Sequence, residues 1–158
     1  GRSGSGKTFL TEKIYKKLKY KKKIIWIDGD KFRKKYSNDL GYTKKDRKIN
    51  SKRIQMHCLN YEKKGYIVLC SILSIFKNHQ KENRKIFKQY LQIFIKSNLK
   101  DLKKRNNKGI YSKKLNVVGK DIEFPYPYKN DLVIKNNYNK KFLKNVNLIN
   151  KKINKLYV

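Results

Sequence analysis

The first eight residues of this 158-residue chain, Gly1-Arg2-Ser3-Gly4-Ser5-Gly6-Lys7-Thr8, follow the spacing G-x-x-x-x-G-K-[ST]. Few other segments restrict a fold so tightly, because each required position has its own physical task. The glycines let the backbone curl so that successive N–H groups point inward at phosphate oxygens. The lysine then reaches the terminal phosphates, and the hydroxyl of the last residue ligates Mg²⁺. Residues Thr8 to Leu18 carry helical spacing, so the positive end of a helix dipole faces the same anion. Three of the eight glycines fall within six residues, and a helix follows at once, which sets the segment apart from a Gly/Ser linker. The expectation is a loop in which Gly1, Ser3, Gly4, Ser5, Gly6, Lys7 and Thr8 hold ATP, with Thr8 also on Mg²⁺. A buried strand ordinarily feeds such a loop. None precedes Gly1 in this sequence, so the chain reads as lacking its first strand, with reduced stability as the expected consequence.

The formal charge of +32 is what a nucleic-acid-binding chain would show. Its make-up points elsewhere. Only six of the 43 basic residues are arginine (2, 33, 47, 53, 84 and 105), alanine is absent, and Asn, Ile and Tyr abound. These are the products of A/T-rich codons, and the lysines are spread along every segment instead of forming one stripe. No specific nucleic-acid partner is expected, only salt-sensitive sticking to polyanions. Cys58 and Cys70 read as reduced core thiols of a cytoplasmic protein. His57 and His79 lack metal-ligand spacing. The longest apolar stretch, Tyr66 to Leu73, is too short to span a bilayer, so no membrane partner is expected.

Apolar runs alternate with helix-period segments. Short strands are predicted at Ile24–Ile27, Tyr66–Cys70, Tyr90–Ile95 and Leu132–Ile134. Asp46 reads as the N-cap of a helix from Arg47 to about Glu62, closed by Gly65, with Ile49, Ile54, Met56 and Leu59 facing inward. Further helices are predicted at Lys77–Lys88, with Ile86 and Phe87 inward, at Leu99–Arg105, and at 139–158, with Phe142, Leu143, Val146, Ile149, Ile153 and Leu156 on one face. Residues 106–129 lack periodicity and carry both prolines, as a long functional loop or lid would. Strands alternating with helices predict one α/β domain over 1–158: a three-layer αβα P-loop NTPase fold with a mostly parallel sheet. Ligands in such sheets sit beyond the carboxyl ends of the strands. The glycine loop, Asp28, Asp30, Ser74 and the 106–129 loop all emerge there.

Beyond the loop stand Asp28-Gly29-Asp30 with Arg33 one helical turn on, then Tyr42, Arg47 and Asn50. Two of six arginines thus persist in a lysine-rich chain. A planar guanidinium fork grips oxyanions as an ammonium cannot, so Arg33 and Arg47 read as an anion clamp; the competing reading is surface ion pairs with Asp39 or Asp46.

These segments together resemble the adenylylsulfate kinase family. Its pattern runs G-L-S-G-S-G-K-[ST], D-G-D-N-x-R, L-G-F-S-x-x-D-R-x-E-N, S-F-I-S-P-Y-R, R-D-P-K-G-L-Y and F-T-G-I-D-x-P-Y-E. The chain offers Gly1 to Thr8, Asp28 to Arg33, Leu40 to Asn50, Ser71 to Lys77 and Arg105 to Tyr111 in the same order, over residues 1 to about 135. The resemblance implies an ATP- and Mg²⁺-dependent kinase acting on the 3′-hydroxyl of adenosine 5′-phosphosulfate. It implies catalytic roles for Lys7, Asp30 and Ser74, with Asp30 engaging Mg²⁺ through water and orienting or deprotonating the hydroxyl. Ser74 matches a serine proposed in the family to carry phosphate. Arg105 would pack on the donor nucleotide, and Arg33, Tyr42, Arg47, Asn50 and Lys108 would bind the acceptor, with Tyr42 replacing a stacking Phe. It also suggests a homodimer.

The departures from the pattern carry information too. Phe-Thr-Gly becomes Val117-Val118-Gly119, removing a second aromatic wall worth about 1–3 kcal/mol of base stacking. Ser-Pro-Tyr-Arg becomes Ser74-Ile75-Phe76-Lys77. The stretch Asn116 to Ile122 resembles relatives in surface-polysaccharide pathways that phosphorylate nucleotide phosphoramidates such as cytidine diphosphoramidate. That is the alternative acceptor, and a non-catalytic basic nucleotide- or polyanion-binding fragment is the third reading.

Overall fold

A computed structural model of the chain describes residues 1–105, 109, 115–138 and 140–157, without the side chains of Arg105 and Lys140. Helix α1 (Lys7–Leu18) leaves the glycine loop directly and buries Leu10, Ile14 and Leu18 at helical spacing. Strand β1 (Ile24–Asp28) runs into α2 (Gly29–Tyr36), whose N-cap is Asp28. Helix α3 (Lys44–Lys63) is longer than the sequence predicts. Thr43, not Asp46, is its N-cap: the Thr43 hydroxyl accepts from the Asp46 N–H at 3.2 Å, and the Thr43 N–H donates back to the Asp46 carboxylate at 3.3 Å. Asp46 therefore closes a capping box from the third helical position. At the other end Gly65 has φ 78°, and the Gly65 and Tyr66 amides return to the Glu62 and Tyr61 carbonyls (2.8 and 3.1 Å), a left-handed stop that glycine makes without strain.

The α3 face also differs from expectation. Ile54 and Cys58 are buried together with the polar Asn50 and Gln55, whereas Ile49 and Met56 are exposed. Two polar side chains took positions that hydrophobicity would assign to their neighbours, because this face of α3 adjoins the site as well as the core.

Strand β2 (Ile67–Ser71) pairs in parallel with β1, Ile24 opposite Ile67 and Asp28 opposite Ser71. After α4 (Lys77–Ile86), strand β3 (Ile93–Lys96) pairs in parallel with β4 (Leu132–Lys135), and α5 (Leu99–Arg105) lies between them in sequence. All four strands are parallel, divided into two pairs. A cavity of about 260 Å³ separates the pairs, lined by Ile67–Ser71 from one side, Ile93–Ile95 from the other, and Leu10 and Ile14 of α1. A 3₁₀ turn (Lys140–Leu143) leads into α6 (Lys144–Leu156). Here Phe142 is buried but Leu143 is exposed, contrary to its predicted inward position. Val146, Ile149 and Ile153 join Leu10, Ile14 and Leu18 in one apolar cluster with Ile95 and Ile134, so the stripe of the C-terminal helix serves the core. The cysteines are free. Cys58 is buried as predicted, but Cys70 is exposed, because its strand borders the cavity. No described helix is long and apolar enough to cross a membrane.

Candidate active site

The glycine loop is held open by its conformation and by neighbours from the far end of the chain. Gly4 and Gly6 have φ of 76° and 93°, a region L side chains enter only with strain. A methyl on Gly6 would stand 2.7 Å from Asn136 Nδ2 and 3.2 Å from the Phe142 ring. Asn136, one residue past β4, donates to the Ser5 carbonyl at 3.0 Å, and the Tyr138 hydroxyl donates to the Gly4 carbonyl at 3.2 Å. These buttresses were not read from the sequence. The signal available was a polar residue just past the carboxyl end of an apolar strand, where ligand crevices form.

Does this loop fit a polyphosphate? Helix α1 has no side-chain cap, so its first amides are presented to an external acceptor. Ser5 is wholly buried, and its Oγ has no hydrogen-bond partner among the described residues. Lys7 Nζ curls over the loop onto the carbonyls of Gly1 (3.0 Å) and Arg2 (2.7 Å). With these donors, this cradle and the ammonium beside them, a polyphosphate fits the loop.

Metal ligation rests on less protein. Among the described residues no cluster of three or more His, Cys, Asp or Glu could hold an ion. That suits Mg²⁺, which keeps waters and phosphate oxygens in its shell. The Thr8 hydroxyl donates to Asp28 Oδ2 at 2.9 Å. The same carboxylate accepts from Ser71 Oγ (3.1 Å) and from the amides of Asp30 (3.1 Å) and Lys31 (3.2 Å). Asp28 thus joins the loop, both strands of one sheet and the start of α2. The sequence places both Asp28 and Asp30 at this edge but gives Asp28 no role of its own. Asp30 is exposed in the first turn of α2, where its carboxylate lies close enough to act on the charge of Arg47.

Arg33 of α2 and Arg47 of α3 come together over Tyr42. The two guanidinium carbons lie 4.9 and 5.4 Å from the Tyr42 ring centre, within cation–π range. Arg33 donates to the Gly41 carbonyl at 2.6 Å. Arg47 donates to the carbonyls of Tyr42 (3.0 Å) and Asn116 (2.9 Å), tying α3 to the 106–129 segment. Neither arginine pairs with the two acids that the competing reading offers it. Asp39 forks with Arg53 instead, at 2.6 and 2.8 Å, and Asp46 is in the capping box. Burial and then the neighbouring charge of Arg33 lower the pKa of Arg47, so two cations crowd one spot. Asn50 is buried beside them on α3, its Oδ1 without a partner among the described residues.

Ser74 lies past β2 and accepts from Gln80 Nε2 at 3.1 Å. Gln80, 2% exposed, also accepts from the Tyr128 amide at 2.7 Å. It therefore joins the Ser74 turn to the end of the 106–129 loop, a role no periodicity reveals. Lys108 and the Arg105 side chain lie outside the described residues. Val117 and Val118 are buried.

The sequence model of the adenylylsulphate kinase family matches residues 1–135. The chain is 35% identical to a cytidine diphosphoramidate kinase of Campylobacter jejuni subsp. jejuni serotype O:2, over 97% of this chain and 92% of that protein. It is 31% identical to an adenylyl-sulfate kinase of Halothermothrix orenii, over 72% of this chain and 62% of that one. The structure of the Mycobacterium tuberculosis APS kinase in complex with AMPPNP and APS superposes with a TM-score of 0.88 at 24% identity, covering 98% of this chain and 94% of that one. These similarities define a P-loop kinase fold. The chain belongs to the adenylylsulphate kinase family, and it is an ATP-dependent kinase transferring phosphate to a hydroxyl of a small nucleotide substrate.

Proposed function

We propose that the acceptor is a nucleotide of the cytidine diphosphoramidate kind, phosphorylated by a single domain spanning 1–158. The observation that carries this reading is the buried Val117–Val118 pair beside the Arg47-held Asn116. The family pattern places an aromatic wall there, and its loss weakens stacking on a purine more than on a smaller base. The Campylobacter relative, matched nearly end to end, supports the same acceptor. Adenosine 5′-phosphosulfate is the second reading, favoured by the family match and by the retained Asp30, Arg33, Arg47 and Asn50.

In this mechanism the loop amides of Gly4 to Thr8 and the Lys7 ammonium hold the donor phosphates. The Thr8 hydroxyl and Asp30 are the residues that would hold Mg²⁺, which would supply neutralisation of the phosphate charge. Asp28 fixes the Thr8 hydroxyl and the start of α2, which sets where Asp30 stands. Asp30 orients the acceptor hydroxyl and takes its proton. Arg33 and Arg47 grip the acceptor's anionic group and Tyr42 covers its base, so that transfer follows from positioning and charge neutralisation. Asn50 and Lys108 complete the acceptor contacts and Arg105 covers the donor nucleotide. The Ser74 hydroxyl, which accepts from Gln80, lines the site, and direct transfer needs no phosphate on it. The 106–129 segment closes over both substrates and excludes water. The protein works in the cytoplasm as a homodimer. An acceptor screen with Mg·ATP tests the assignment: turnover of cytidine diphosphoramidate with little on adenosine 5′-phosphosulfate supports it, and the reverse selects the second reading.

A further inference from the structure

Arg2 stands where the family pattern carries Leu, inside the phosphate loop. Its guanidinium carbon lies 4.8 Å from the centre of the Phe124 ring. Phe124 stacks in turn on Phe94 of β3 (6.1 Å, 28°), and Tyr126 meets Phe94 edge-on at 5.1 Å. The Arg2 Nε is buried without a hydrogen-bond partner, and among the described residues Arg2 makes no ion pair. A methyl on Gly119 would stand 3.0 Å from that Nε, so the absence of a side chain at Gly119 gives the arginine its place.

The turn that covers Arg2 is the one Arg47 holds. Asn116, with its carbonyl on Arg47, opens it. The Asp121 carboxylate accepts from the Val117 amide (2.9 Å), and the Gly119 amide donates to the Ile122 carbonyl (2.7 Å). With both valines buried, this turn is rigid. It sets Arg2 and Arg47 against one short segment from opposite sides, the first from the donor loop and the second from the acceptor helix. An aromatic face on one side and a dry Nε leave the remaining N–H groups of Arg2 to an anion, and a guanidinium with its charge uncompensated is built to receive one.

We infer that Arg2 is a specificity-determining residue that binds the anionic, phosphate-linked group of the acceptor, facing Arg33 and Arg47 across it. The inference rests on the reading of the acceptor as a nucleotide with such a group. It explains why a loop position that the pattern fills with an aliphatic side chain is cationic in a chain that has also lost an aromatic base wall. A contact to the base is exchanged for a contact to its phosphates.

Arg2→Leu and Arg2→Lys test this by calorimetry on the ADP-loaded chain with cytidine diphosphate and adenosine 5′-phosphosulfate as probes, alongside ATP titration and thermal melting. Leu is the pattern's own residue and packs on Phe124, so R2L is expected to keep the wild-type melting temperature. It should weaken binding of the preferred probe by about tenfold or more while the ATP affinity changes less than about twofold. R2K should recover part of the loss, since it returns charge without the fork. Unchanged probe binding in R2L, or equal weakening of ATP, would overturn the role of Arg2. Wild-type chain that takes up ATP but neither probe would overturn the acceptor reading and this inference with it.

Discussion

Asp28 and Asp30 are two residues apart, yet their surroundings assign them different work. Asp28 is 9% exposed and accepts four hydrogen bonds, from Thr8, Ser71, Asp30 and Lys31. Asp30 is exposed in the first turn of α2, close enough for its charge to act on Arg47. Asp28→Asn keeps the shape but turns one acceptor oxygen into a donor, setting it against another donor. It is expected to cost about 1–3 kcal/mol of stability and, by freeing Thr8, to lower kcat sharply as well. Asp30→Asn is expected to lower kcat while the melting temperature stays within about two degrees, as for most exposed changes. Thermal melts beside steady-state rates separate the two, and equal melting losses would show that Asp28 has no special structural part. The pair was legible as a motif because D-G-D after an apolar run is a local signal. That Asp28 also ties the loop to the second strand was not legible, because that depends on Ser71 and Thr8, brought in from 43 residues after it and 20 residues before.

Helix α3 shows the same division along a longer stretch. Its existence was readable from periodicity and Gly65, but its start was placed three residues late. Asp46 and Thr43 are both good N-caps, and only the reciprocal hydrogen bonds decide between them. Its inward face differs from the periodic pattern: Ile49 and Met56 are exposed while Asn50 and Gln55 are buried, Gln55 donating to Asn83 on α4 at 2.6 Å. Thr43→Ala removes the box and is expected to cost about 1 kcal/mol. Because Arg47 follows one residue after the box, the acceptor KM should rise with it; a melting loss without a KM change would mean the first turn does not position the clamp. Further along α3, His57 packs against Phe32, Tyr36 and Tyr61 at ring distances of 5.0–5.2 Å. Burial, and then Lys35, lower its pKa below the ordinary 6.5, and burial does the same to His79. The unfolded chain therefore binds these protons first, so their contribution is full above pH 6.5 and declines as pH falls through 6.5 towards the folded values. Melting temperature is expected to drop between pH 7 and pH 5, and His57→Phe to flatten part of that drop. A wild-type curve flat over this range would contradict it.

Across the whole molecule, two features act over many residues at once. The first is the charge of +32, carried mostly by lysines spread along the chain instead of gathered in one stripe. Such a surface holds polyanions without needing the phosphate loop. Lys7→Ala is accordingly expected to lower phosphoryl transfer by about a hundredfold or more while the salt concentration that elutes the chain from heparin stays the same; parallel loss of both would mean that one site serves both. The second feature is the division of the sheet. β2 and β3 each pair on one edge only, and their other edges border the 260 Å³ cavity whose lining also includes Gly1. Unpaired strand edges leave amides and carbonyls without partners and apolar side chains without neighbours. A methyl on Gly1 would lie 2.4 Å from the Ile95 carbonyl oxygen, so chain entering Gly1 from the cavity side passes directly along β3. Five apolar, β-branched residues joined ahead of Gly1 are expected to pair with both edges, fill the cavity and raise the urea midpoint of the 158-residue chain. The urea m-value is expected to rise too, because m follows the surface exposed on unfolding. Equal midpoints would mean that the gap is not a strand site and that the two sheet pairs are stable as they stand. Five polar, glycine-rich residues at the same place serve as the control, since they can extend the chain but cannot fill an apolar gap.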